Sequence, residues 1–531
     1  MHTLSAPPST VGHRARPPHP LAHLSGPRTL LLLVGLVAAA ECGLLVVYGV
    51  ALWRHFDLGS DDAIANQATW LIAHGTLSPF DTIFTDTFWR DTFGLIWWPL
   101  AVARVAFPSG LSLLVEQAAA IAATTFALGR LAVVRSRDLG PGARLALVTG
   151  ATALALLNPW AFEAFSFSVH SEPIGALGLV LVLSGALEQR RWLLGVGLGL
   201  ALLSGSALIV TALGLGVGLL CLPSLRRSGA VVTVAAVAFL AADVALGAHR
   251  GFSFAAQYGY LVGPHPEHVG VGAVVRAVVA HPGRATHVLA RRHASILHLI
   301  VDGGVLGLFF PPSLLPVLVD VPINALTIGG NFISRVEGFQ NWPEVALLLA
   351  GGVEVGRWLL RHSSRAARSA IATLLLAGST ILSITMVRFD LPARNYWLGQ
   401  PAASVQALRV VRAEVRPDEE VLGSINVLGR FAARRYVFFV NDVPQDVPVC
   451  TPDLFVVLET EGPYAVLTPA QFAHVQAVVA RLPHARVDLH RAHVWAIQID
   501  HLPAGRSVLA LPEGRLVEGA AARRLDRSLC R

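Results

Sequence analysis

The chain has 531 residues, of which 54% are hydrophobic and 14% charged, with a formal net charge of +7. An ordinary soluble domain is about 25% charged, so this composition excludes a single water-soluble globule. Every basic residue is an arginine, and most lie between apolar runs; that pattern orients helices in a membrane and argues against a nucleic-acid surface.

The first 28 residues are rich in Pro, His and Arg and read as a disordered tail. Thr29 to Leu52 is the first span, too long for a signal-peptide core. The arginines before it (Arg14, Arg16, Arg28) place the N-terminus in the cytoplasm. The following segment is polar and lies outside. Leu95 to Phe107 is too short to span, carries Arg104, and reads as an interfacial or re-entrant helix. Further spans are expected at Leu111–Val134, Leu145–Leu157, Ile174–Leu187, two short ones within Trp192–Leu222 broken at Ser204-Gly205-Ser206, Val231–Gly247, Leu299–Phe310, Leu314–Ile328, Val345–Leu360 and Ile371–Val387. The expectation is mainly α: a polytopic bundle of about 11 spans over residues 29–390. Its outer loops are 53–110, 158–173, 248–298 and 329–341.

From about Gly399 the charged fraction rises. Short β-like runs (Glu420–Leu422, Tyr436–Val440, Leu454–Leu458, Val494–Ile499) and one helical stretch (Pro469–Arg481) predict a small soluble α/β domain over 399–531. The topology puts this domain on the extracytoplasmic side of the cell membrane. Of the four cysteines, Cys42 and Cys221 lie in apolar runs. An oxidising compartment would permit a Cys450–Cys530 disulfide, although spacing in sequence does not give their separation.

The acidic first outer loop carries the chemistry. Phe56 to Asp62 puts Asp57, Asp61 and Asp62 just past a membrane exit, and Trp89-Arg90-Asp91 adds a further acid beside an arginine. A carboxylate there can act as a general base or hold a divalent metal beside a phosphate. It can also simply cap a helix starting at Ala63. In AFEAFSFSVHSEP, the alternation Phe165/Phe167/Val169 suggests an extended segment presenting His170 near Glu172. That pair could bind metal or shuttle a proton, or be a hydrogen-bonded polar cluster. Glu41 within the first span should face the bundle interior, and Asp243 should sit near an interface. Arg284, Arg291 and Arg292 could pair with lipid phosphate or adhere to anionic headgroups.

HFDLGSDDAIANQATWLIAHGTLSPFDTI, AFSFSVHSEPIGALGL, QYGYLVGPHPEHV and FQNWPEVALL resemble an uncharacterised family of bacterial multi-pass membrane proteins. That family is a predicted-membrane-protein domain of unknown function related to the GT-C glycosyltransferases. The resemblance runs from about Arg54 to Val494. It implies a GT-C-like bundle that moves a sugar from a polyprenyl-phosphate donor to an acceptor at the outer face. The membrane lipid itself and the polyprenyl-phosphate-linked sugar are then the expected partners. Asp57, Asp61, Asp62 and Asp91 become catalytic candidates, and Arg90, His170, Glu172, Arg284, Arg291 and Arg292 substrate-binding ones. Two motifs depart from the family: Trp89-Arg90-Asp91-Thr92-Phe93 replaces a Gly-Asp-His-Phe-like run, and Ser204-Gly205-Ser206 replaces Lys-Glu-Asp. A transporter or flippase for a lipid-linked or polar solute, and a non-catalytic scaffold, stay open beside the transferase.

Overall fold

A computed structural model describes residues 25–81, 86–88, 94–246, 254–263, 270–327, 339–390, 398–440, 446–462, 467–519 and 530. The bundle begins with α1 (Pro27–His55) and α2 (Ser60–Ala73), followed by a two-stranded hairpin of β1 (Phe80–Asp81) and β2 (Asp86–Thr87). Next come α3 (Trp97–Ala106), α4 (Leu111–Arg135), α5 (Pro141–Leu156), α6 (Pro159–Ser166), α7 (Glu172–Glu188), α8 (Arg191–Leu203) and α9 (Ser206–Leu220). Then follow α10 (Arg226–Leu246), α11 (Phe254–Val262), α12 (Val271–Ala280), α13 (Pro282–Arg291), α14 (His293–Asp302), α15 (Pro311–Ala325), α16 (Trp342–His362) and α17 (Arg365–Thr385).

Among the described residues, five helical stretches are long and apolar enough to cross a membrane: Pro27–His55, Leu111–Arg135, Pro141–Ser166, Pro223–Leu246 and Arg365–Arg388. Leucines and valines such as Leu36, Leu44 and Val47 on α1, and Val234 and Val244 on α10, are exposed, which in this setting means facing lipid. The total of about eleven depends on counting shorter helices such as α8 and α9 as crossings. Breakers keep them short. The expected break between them falls at Gly205, whose φ of 127° suits glycine. The expected span Leu299–Phe310 is not one helix: α14 stops at Asp302, and after Gly303-Gly304 a 3-10 turn covers Val305–Phe309. Leu95–Phe107 contains the short helix α3, as expected.

Close packing of α7 and α8 uses small residues. A Cβ on Gly178 would lie 2.6 Å from the Ala201 nitrogen and 2.7 Å from the Gly197 oxygen, an approach that larger residues would forbid. One end of the bundle is clamped by charge. Arg130 forks onto Glu188 (2.6 and 2.7 Å), Arg135 onto Glu354 (2.6 and 2.8 Å), and Arg357 reaches Asp138 at 2.9 Å. These join α4, α7, α16 and the α4–α5 turn at the end that carries the arginines expected on the cytoplasmic side. Glu41 is buried and faces Thr125 of α4. Asp243, three residues before the end of α10, is fully buried.

The C-terminal domain begins with α18 (Ala402–Glu414). It continues through β3 (Glu420–Ser424), β4 (Val437–Val440), β5 (Asp446–Val449), β6 (Leu454–Glu459), α19 (Pro469–Val479), β7 (Ala485–Arg491), β8 (Val494–Ile499), β9 (Ser507–Ala510) and β10 (Arg515–Glu518). A five-stranded sheet has the order β4-β3-β6-β8-β7: β3 is parallel to β4 and β6, and β8 is antiparallel to β6 and β7. A three-stranded antiparallel sheet, β10-β9-β5, lies beside it. Alternate residues of the large sheet enter two cores. Val421, Val437, Phe455 and Ala496 join α18 in the core continuous with the bundle. Leu422, Phe438, Val456 and Ile497 pack with Val475 and Val479 of α19 and with Leu509 of the small sheet. Cys450 and Cys530 form a disulfide across a sequence separation of 80 residues.

Candidate active site

The chain turns out of α1 at Phe56, whose φ of 59° closes the helix. Asp57 follows at once. Its Oδ1 accepts the Gln400 N–H at 3.0 Å, while Oδ2 is buried with no hydrogen-bond partner among the described residues. Helix α2 then starts at Ser60, three residues before the predicted Ala63, with Gly59 as its N-cap and no side chain capping it. Asp61 and Asp62 therefore sit in the first turn and are not caps, which corrects the capping reading. Their charge still suits a helix N-terminus, and their side chains are free to reach the neighbouring loop.

That loop is the α6–α7 connection. Asn158 caps α6 through the Trp160 N–H, with Pro159 at the first helical position. This draws Phe165 and Ser166 into the helix, so the expected extended run is confined to the residues just after it. Gln117 of α4 holds the loop. Its Nε2 donates to the carbonyls of Ala164 (2.9 Å) and Ser168 (3.0 Å), and its Oε1 accepts the His170 N–H at 2.7 Å. Asp62 closes the other side, accepting Ser168 Oγ at 2.6 Å and the Val169 N–H at 3.1 Å. His170 stacks on Phe167 and points Nε2 at Asp61 Oδ2, 3.7 Å away. Glu172 lies near enough to sense the charge of Asp61.

The three aspartates differ in access. Asp57 and Asp62 are 6% and 4% exposed, whereas the Asp61 side chain keeps 36% of its surface open. Yet Asp61 is deep enough for burial to raise its pKa against the opposing Ser60 hydrogen bond. Asp61 is thus surrounded by protein and still open to solvent on part of its side chain. Burial pushes Asp57 up to about 7 against the Gln400 N–H, and Asp62 to about 7 against the Ser168 hydroxyl, with the charge of Asp61 adding to the rise. Burial holds the His170 imidazole down to about 3. The imidazole is thus neutral near pH 7, and at 3.7 Å its approach to Asp61 is neither an ion pair nor a hydrogen bond.

The C-terminal domain closes over this loop. Gly429 donates its N–H to the Leu58 carbonyl at 3.2 Å and accepts Asn66 Nδ2 at 2.7 Å, and Gln67 Nε2 donates to the Arg435 carbonyl at 2.9 Å. From below, the buried Arg104 of α3 donates to Asn66 Oδ1 at 2.5 Å and Thr69 Oγ1 at 3.1 Å. Burial lowers its pKa to about 10, which leaves it charged. Gln117, Ser168, Asn66 and Gln400 were missed in the sequence. Only Gln117 left a signal, as a polar residue inside an apolar run.

Arg90 and Asp91 lie outside the described residues. Arg284 and Arg291 are exposed on α13, and Arg292 donates to the Ala325 carbonyl. Among the described residues, no contact joins these three arginines to the aspartates, and no group of three or more His, Cys, Asp or Glu side chains is arranged to hold a metal ion.

No protein-family model and no curated protein matches the chain. Two solved structures of ArnT from Cupriavidus metallidurans are similar to it, one in the apo state and one bound to undecaprenyl phosphate. Their identities are 12% and 13%, each comparison covers 87% of this chain and 98% of the other, and the TM-score is 0.44 in both. At that score the likeness assigns no activity to this chain.

Proposed function

We propose that the chain is a GT-C-like glycosyltransferase that moves a sugar from a polyprenyl-phosphate donor to an acceptor at the outer face of the membrane, with Asp61 as the base. The observation that carries this reading is the contrast among the aspartates: Asp57 and Asp62 are closed into the frame, while Asp61 is open. Ionised Asp61 takes the acceptor hydroxyl proton. The acceptor oxygen bonds to the sugar anomeric carbon as its bond to the phosphate oxygen breaks, and polyprenyl phosphate leaves with the electron pair. A raised pKa makes Asp61 a stronger base than an exposed carboxylate once it is ionised. Neutral His170 and Glu172 border the acceptor, and Arg90, Arg284, Arg291 and Arg292 are the candidate phosphate contacts. The position suits the chemistry, because a lipid-linked donor keeps its tail in the bilayer and its phosphate at the water boundary.

One observation favours a second reading. Asp320 and Glu344, both buried, share the Thr211 hydroxyl (3.0 and 3.1 Å) inside the bundle, and paired intramembrane acids are also a transporter feature. An Asp57→Asn, Asp61→Asn and Asp62→Asn series, scored by cell-envelope glycan composition at equal expression, separates the readings. The transferase account expects Asp61→Asn to abolish the sugar modification, a loss of about 100-fold or more. Unchanged glycans in all three variants would turn the assignment to transport, where Asp320→Asn should stop flux instead.

A further inference from the structure

Most arginines near acids in this protein are paired with them, as in Arg130–Glu188, Arg135–Glu354 and Arg416–Glu419. Four others converge where α1 ends. Arg54 lies in its last turn, Arg409 and Arg412 stand three residues apart on α18, and Arg430 closes the 3-10 turn Leu428–Arg430. Arg409 Nη2 donates to the Arg54 carbonyl at 3.5 Å, and Arg412 Nε donates to the Arg430 carbonyl at 3.2 Å. The Arg430 guanidinium lies over the rings of Phe56 (4.2 Å) and Trp53 (5.3 Å), and its Nε is buried without a partner. Among the described residues, none of the four has an acidic partner.

Like charges brought together this way repel. Burial, then the charges of Arg412 and Arg409, bring Arg430 down to about 10, so it remains a cation at neutral pH. The energy of gathering the Arg409, Arg412 and Arg430 cations is offset when an anion joins them, and guanidinium groups bind phosphate in a forked geometry. A second observation points to the kind of phosphate. On α1, Leu33, Leu36, Leu44 and Val47 are exposed. Helical spacing sets Leu36 and Val47, eighteen and seven residues before Arg54, on the face that carries it. An apolar track therefore runs along the first span and ends at the arginines, with Trp53 at the boundary where membrane proteins favour tryptophan.

We propose that Arg54, Arg409, Arg412 and Arg430 form a phosphate site for a lipid whose tail lies along the exposed face of α1. The site does not use Asp61 and does not depend on the transferase reading. The test uses the full chain in neutral phosphatidylcholine nanodiscs, with retention of polyprenyl phosphate and of polyprenol measured by native mass spectrometry. The wild type should hold the phosphate at least about tenfold better than the alcohol. The R409Q/R412Q double variant, altered at an exposed and a half-buried position, should lose about tenfold or more, and R430K should lose less than R430Q. Displacement by millimolar inorganic phosphate would show that the anion alone is recognised, and its failure to displace would show that the tail contributes. Equal retention of phosphate and alcohol by the wild type, or unchanged retention by the double variant with wild-type melting, would overturn the proposal.

Discussion

Asp61 and Asp62 are neighbours in the chain, but helical geometry points them about 100° apart. Asp62 spends both oxygens on Ser168 and Val169, whereas among the described residues Asp61 meets Ser60 and, at longer range, His170. A sequence rule finds both acids, because both lie just past a membrane exit. It cannot choose between them, because the choice is made by a loop more than a hundred residues later. Another buried carboxyl shows burial outweighing hydrogen bonds in setting ionisation. Glu420 of β3 accepts the N–H groups of Cys450 and Thr451, and burial pushes it up to about 8, those hydrogen bonds opposing the rise. Its folded pKa lies above the unfolded one, so the stability it contributes is present at pH 4 and is lost as pH rises through about 8. The wild type should therefore lose on the order of a few kcal/mol between pH 5 and 9. In Glu420→Gln that decline should become shallower, the raised Asp57 and Asp62 carboxyls sustaining the rest. Thermal melting across this range checks it; parallel decline in both proteins would remove Glu420 from the account.

At the scale of elements, α2 is held from two sides, by α3 through Arg104 and by the C-terminal domain through Gly429. A Cβ on Gly429 would lie 2.5 Å from Leu58 Cβ and 3.0 Å from Asp62 Cβ. Both are atoms next to backbone, so the elements must part. Gly429→Ala should cost about 1–3 kcal/mol and expose the junction before α18 to protease; wild-type melting and cleavage would contradict this docking. Breaks and strands were legible where residues enforce them: Ser204-Gly205-Ser206 splits α8 from α9, and Leu454–Leu458 is apolar enough to read as a buried strand. Other elements were not. β5 and β9 are four residues each, too short for an alternation to register, and Gly303-Gly304 hid inside a hydropathic run long enough to pass for a span. The α2–Gly429 contact joins residues 363 apart in the chain, and no local pattern encodes such a pairing.

Across the whole molecule, the two ends of the bundle differ in chemistry. The Arg135 end of α4 is locked by forked arginine–carboxylate pairs, while Gln117, about 27 Å away by helical rise, organises the loop that faces the aspartates. The large sheet ties this second end to the C-terminal domain, since one of its faces shares the bundle core, and the Cys450–Cys530 disulfide fastens the end of the chain to that domain. One end of the bundle is thus fastened by ion pairs, and the other carries the aspartates and the C-terminal domain. The most direct test is release of free polyprenyl phosphate by the purified chain in liposomes carrying a lipid-linked sugar extract, followed against pH. The account predicts release by the wild type with an acid limb above the ordinary carboxylate range, because burial raises Asp61, and a loss of about 100-fold or more in Asp61→Asn. Equal release by Asp61→Asn and wild type, with the same pH profile, would contradict it.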